Sequence, residues 1–267
     1  MIRRTADPAS AGHAVRVELS LHALWLPGAL TLAAACLAVA YVLTSSHAAS
    51  WGADIARLFD LNEEANIPAW FSSVLWLAAA LLALAVFRLH RERGVPYGDY
   101  WFGMVPLFLL MSLDEAGQLH ETLGSMIGRR MEGQAILDVT YAWVVLGLAV
   151  VALIGMLYLR FLLRCRPEVR RLLVLSAGLF LTGAVIVESI GAAVESGRLA
   201  GFPLGLSWTW MIIAEEMLEM MGVILLIHTL LTVMAFDAVP AAARPQTPPR
   251  IAPGLQGAPP SERVDSR

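Results

Sequence analysis

The sequence predicts an all-α, polytopic membrane helix bundle of about six transmembrane helices, with both termini cytoplasmic. Three observations carry that prediction. Hydrophobic residues make up 58% of the 267-residue chain and charged residues only 15%, with a mean hydropathy of +0.66; a soluble chain is about 45–50% apolar and about 25% charged. Apolar runs of about 20 residues recur, the length that a hydrocarbon core of about 30 Å demands. Finally, the basic residues, all 19 of them arginine, crowd into alternate connections.

The elements follow in order. Residues 1–22 are a polar amino-terminal arm, and 23–235 form the six-helix transmembrane domain. Its spans lie near Ala23–Leu43, Ile67–Leu89, Asp99–Leu119, Thr140–Leu163, Leu172–Ile190 and Leu206–Met234. Residues 236–267 read as a disordered cytoplasmic tail, because a segment holding Pro240, Pro245, Pro248, Pro249, Pro253, Pro259 and Pro260 can bury little.

Orientation follows from the arginines. Arg3, Arg4 and Arg16 lie in the arm, Arg88, Arg91 and Arg93 follow the second span, and Arg160, Arg164, Arg166, Arg170 and Arg171 follow the fourth. The other connections are poorer, with Arg57 set among Asp54, Asp60, Glu63 and Glu64, then Arg129, Arg130 and Arg198. The positive-inside bias places the arginine-rich side in the cytoplasm of a bacterial-type inner (plasma) membrane. Most tryptophans lie near span ends, as interfacial anchors do; Trp76 is deeper. Cys36 and Cys165 fall at different depths, which excludes a disulfide between them. The bilayer is the expected partner, a membrane protein or a second copy of the chain stays open, and no basic stripe points to nucleic acid.

Charge inside the spans marks the candidate site. Ser112-Leu-Asp114-Glu115-Ala-Gly-Gln118-Leu-His120-Glu121 ends the third span, Glu188 and Glu195 lie at the end of the fifth, and Glu215, Glu216 and Glu219 lie in the sixth. Ionisable groups at membrane depth are costly and point to function. Counting about 1.5 Å per residue puts Asp114 about 22 Å and Glu188 about 24 Å from the cytoplasmic entry, and Glu215 about 13–15 Å from the opposite end. All three therefore fall in the outer, periplasmic half. A continuous helix sets Asp114, Gln118 and Glu121 on one arc, with Glu115 and His120 off it. Gly117 and Gly191 mark expected points of close helix approach. Glu121, Glu195 and His120 also fit ordinary solvated residues just beyond the hydrocarbon, and His228, near the far end of the sixth span, reads as structural.

So many carboxylates with one histidine must hold protons, recruit cations or face water. The chain has no Lys for a Schiff base, only His120 near the acids where a three-His metal site needs three, and no Glu-x-x-His pair of the diiron bundles. An oxygen-rich site suits Mn, Fe, Mg or Ca. The expected ligands of such a divalent metal are Asp114, Glu121, Glu188, Glu215, Glu216 and Glu219, with Glu115 or His120 as general acid/base. Three functions remain open: a metal-dependent enzyme acting on a lipid or lipid-linked substrate, a proton- or cation-handling transporter, and an accessory subunit whose polar core is structural.

Overall fold

The computed structural model describes residues 8–120, 122, 123, 126, 139–195 and 208–237. Glu121, Arg129, Arg130, Arg198 and the proline-rich segment from Ala238 onward lie outside the described residues, as does the side chain of Glu195. Among the described residues there are helices and no strand. In chain order they are α1 (Pro8–Ser46), the short α2 (Ala48–Trp51) and α3 (Ala53–Leu58), α4 (Ile67–Glu92), α5 (Asp99–Gly117), α6 (Val139–Arg164), α7 (Pro167–Leu181), a π-helical segment (Thr182–Val187), α8 (Glu188–Glu195) and α9 (Trp208–Asp237).

Five stretches are long and apolar enough to cross a membrane: Trp25–Ser46, Ile67–Glu92, Gly147–Arg164, Pro167–Gly191 and Trp208–Asp237. They match five of the six expected spans, and they are consistent with a multi-pass membrane protein. The sixth, α5, forms where it was expected but is not among the five; Asp114 and Glu115 interrupt its apolar run. α1 starts at Pro8, inside the segment read as an arm.

α9 is the central helix, touching α1, α4, α7 and the π segment. Its sequence is apolar almost all round, and such a helix belongs in the middle of a bundle. Met220, Ile224, Ile227 and Leu230 are accordingly buried. α4 buries one stripe, Ser72, Leu75, Trp76, Ala79, Ala83, Val86 and His90, at the 3–4 spacing of a helix face. The alanines let α5 lie close along it, and small residues are the usual means of close packing between apolar helices. Ser73 and Ser112 clasp the pair: Ser73 Oγ donates to the Ser112 carbonyl (2.8 Å) and Ser112 Oγ to the Ser73 carbonyl (2.9 Å). α6 is the outlier, exposing Leu148, Leu153, Met156, Leu157 and Leu163, as a helix facing acyl chains would.

Among the described glycines, a Cβ would press closest on a neighbouring helix's backbone at Gly183 and Gly222. A Cβ on Gly222 would fall 2.7 Å from the Phe180 backbone nitrogen, and one on Gly183 2.7 Å from the Glu215 carbonyl oxygen. The two glycines singled out in the sequence do less: a Cβ on Gly191 would meet Trp208 at an ordinary 3.7 Å and one on Gly117 only Leu119 at 3.9 Å.

Both cysteines are free. Burial pushes the Cys165 thiol up to about 11. At pH 8 it carries about two orders of magnitude less thiolate than an ordinary cysteine. Iodoacetamide is therefore expected to alkylate Cys165 far more slowly in the folded protein than after unfolding in SDS, as read by peptide mass spectrometry.

Candidate functional site

The candidate site gathers around the C-terminal end of α5 and the Glu215–Glu219 stretch of α9, whose acids lie within electrostatic reach of one another. α5 stops at Gly117 because Gln118 takes the left-handed conformation (φ 54°, ψ 41°), its N–H bonding the Asp114 carbonyl at 2.8 Å. That turn swings the chain back over its own helix end. The His120 backbone N–H donates to Asp114 Oδ1 (2.8 Å), and His120 Nδ1 lies 3.0 Å from Oδ2. Both carboxylate oxygens of Asp114 thus engage His120. Burial alone would lower the imidazole's proton affinity. The hydrogen bond and charge of Asp114, joined by Glu64 and Glu188, outweigh it and raise His120 from 6.5 to about 9. His120 is therefore an imidazolium at neutral pH.

The arc expected for Asp114, Gln118 and Glu121 required a continuous helix, and the helix ends first. Glu115, placed off that arc, is instead central. It lies within electrostatic reach of Asp114, His120 and Glu64 and takes a hydrogen bond from the Trp76 indole. Glu216 shares its field with Glu115, Glu215, Glu64 and Glu188, and Glu219 with Glu216, Glu115, Glu215 and Glu188. The π segment presses on this turn of α9 through Gly183, against the Glu215 carbonyl and the Glu219 Cγ. π-helical turns insert an extra residue and often occur at functional sites. Here the segment delivers Glu188 directly after itself.

Glu64 belongs to the cluster and escaped sequence reasoning. It sits in the connection before α4, where no periodicity reports which side chains turn inward. Asn66 fixes that connection: its Oδ1 accepts from the Ala69 N–H (3.1 Å), capping α4, while its Nδ2 donates to the carbonyls of Asp60 (2.6 Å) and Arg57 (3.2 Å). Glu64 Oε2 is buried as a result. Trp76 packs edge-on against Phe180 at 5.1 Å and beside Phe108 at 5.6 Å. Ser112, two residues from Asp114, is occupied with its clasp to α4.

Among the described residues, no group of three or more His, Cys, Asp or Glu side chains converges closely enough to hold a metal ion. Asp114 turns toward His120, and Glu215 and Glu219 lie a helical turn apart. The expected ligand set is therefore gathered within electrostatic reach but not into one coordination shell; Glu121 lies outside the described residues.

Among the described residues the protein is all-helical, with five helices long and apolar enough to cross a membrane, consistent with a multi-pass membrane protein. The chain belongs to the family described as a domain of unknown function (DUF8692), whose profile matches residues 29–234. No curated protein and no solved structure matches it.

Proposed function

We propose that this is a multi-pass protein of a bacterial-type inner membrane, with the arginine-rich connections cytoplasmic, and that its acid cluster binds and exchanges protons with the periplasmic side. One observation supports this above the others: Glu115, Glu216 and Glu219, from two helices, share one electrostatic environment with Glu64, Glu188 and Glu215. Carboxylates that share one field in a low-dielectric setting do not all carry charge, and bound protons are the simplest means of neutralising them. The arginine distribution puts these acids toward the periplasmic end of the bundle, which favours exchange with that side.

A second reading rests on the Asp114–His120 pair. A carboxylate that orients an imidazole through Nδ1 is the pattern found behind catalytic and metal-bound histidines. On that reading Asp114, Glu188, Glu215, Glu216 and Glu219 draw together around a divalent cation, and Glu115 or His120 serves as acid/base toward a lipid-linked substrate.

One experiment separates the two. Purified protein, checked by elemental analysis, is subjected to a pH jump with a soluble dye as proton reporter. The expected result is metal-free protein with stoichiometric proton uptake that disappears in a folded Glu115→Gln/Glu216→Gln/Glu219→Gln variant. Stoichiometric metal, lost with Asp114→Asn, would establish the second reading instead. Flux across liposomes, abolished by the same glutamine variant, would show that the cluster serves transport.

A further inference from the structure

At the opposite end of the bundle, away from the acids, five helix ends meet: the C-termini of α4, α6 and α9 and the N-termini of α5 and α7. They enclose a cavity of about 250 Å³, lined among others by His90, Tyr97, Trp101, Arg164, Arg166 and Asp237. Nothing in the acid cluster uses these residues.

The charges are arranged around this space. Arg164 Nη1 donates to the Tyr97 hydroxyl (2.7 Å) and its guanidinium stacks over that ring at 5.3 Å. Arg166 lies 3.2 Å over the Phe236 ring and pairs outward with the exposed Glu168 at 3.1 Å. Arg166 is also the N-cap of α7 and makes no side-chain cap bond, so the first turn of a 15-residue helix directs its positive end here. The carboxylate lining the space is that of Asp237, bound to His90 Nε2 at 2.9 Å, while Arg93 donates to the Asp237 backbone carbonyl. His90 is 6% exposed, and its Nδ1 is buried with no hydrogen-bond partner. In the neutral tautomer that donates Nε2–H to Asp237, Nδ1 is an acceptor that calls for a hydroxyl or similar donor. Buried polar atoms are seldom left so.

We propose that this cavity binds an anionic phosphoester that carries a hydroxyl group, as a phosphoglycerol lipid headgroup does, with Arg164, Arg166 and the α7 N-terminus on the phosphate and His90 Nδ1 on the hydroxyl. The volume lies just below the range of about 300–1,000 Å³ typical of small-molecule pockets, which suits a headgroup with its chains outside. The position suits it as well, since basic pockets between helices at a membrane surface are where anionic headgroups bind. The apolar remainder, Val95, Pro96, Phe161, Val169 and Val233, gives the glycerol backbone and first methylenes a surface.

The test is a thermal shift in zwitterionic detergent with three probes: short-chain phosphatidylglycerol, short-chain phosphatidylcholine and glycerol phosphate. Phosphatidylglycerol is expected to raise the unfolding midpoint and phosphatidylcholine to leave it unmoved. Arg164→Gln with Arg166→Gln should weaken the apparent affinity about thirtyfold, whereas Arg91→Gln, outside the cavity, should not. A matching shift with glycerol phosphate would assign the site to a soluble phosphoester; a shift with phosphatidylglycerol alone would assign it to the bilayer. No shift with either anion, or equal losses with Arg91→Gln and the double variant, would overturn the proposal. If the double variant unfolds, Arg164→Lys with Arg166→Lys retains the charge and is expected to retain binding.

Discussion

Replacing Gly222 by valine is expected to part α7 from α9 and to lower the unfolding temperature substantially. The carbonyl of Gly222 accepts from Ser176 Oγ at 2.8 Å, and an added Cβ would stand 2.7 Å from the Phe180 nitrogen and 2.8 Å from its Cβ. The obstacle is backbone, which cannot rotate away, so one helix must move. Overpacking of this kind costs about 1–3 kcal/mol, and a backbone obstacle places Gly222→Val at the upper end. Gly183→Val meets the Glu215 carbonyl and Glu219 Cγ at 2.7 Å, so it should lower stability by a similar amount and disturb the acid cluster as well. Gly178 on the same helix has open space around its Cβ direction. Gly178→Ala is expected to be neutral or to stabilise by up to about 1 kcal/mol through helix propensity. Differential scanning fluorimetry in detergent reads all three. A Gly222→Val protein melting with the wild type would mean that the close contact does not hold the bundle together.

The second large effect is a pH-dependent one at Asp114. Folding raises His120 from 6.5 to about 9, so the folded chain holds that proton more tightly than the unfolded chain. The resulting stabilisation is complete below about pH 6.5 and is lost as pH rises through about 9. Asp114→Ala removes the two carboxylate oxygens that engage His120 and is expected to cost about 1.5–3 kcal/mol, the range for hydrogen bonds to a charged group, when measured at pH 6. At pH 10 the cost should shrink, because the wild type has then lost the same contribution. Thermal unfolding of both proteins across pH 6–10 checks this. A pH-independent difference would show that Asp114 acts through the His120 backbone N–H alone.

The helices and the acids were legible for different reasons. Composition and run length located the helix of every expected span, because a bilayer-length helix must be almost continuously apolar. Asp114, Glu188 and Glu215 stood out because charge within such runs is rare. Their grouping into one electrostatic neighbourhood with Glu115 was only partly legible. Helical-wheel arithmetic assumes constant phase, and the chain breaks phase twice: at Gln118, which ends α5, and across Thr182–Val187, where the π turns add a residue. His120 therefore turned back onto Asp114, and Glu115 took the central place. Glu64 and His90 were hidden for other reasons. Glu64 lies in a loop, and His90 sits among arginines at the end of α4, where nothing in the spacing sets it apart.

By itself the sequence determined an all-helical chain with several bilayer-length helices, and a few carboxylates set where charge is costly. Those properties depend on composition and on spacing along the chain. Tertiary structure decided which acids meet, that Asp114 clamps His120, that Gly183 and Gly222 rather than Gly117 and Gly191 carry the close contacts, and that His90 and two arginines surround a cavity at the far end. Each of these depends on contacts between residues distant in sequence and on local breaks in helical phase, and no one-dimensional pattern encodes either.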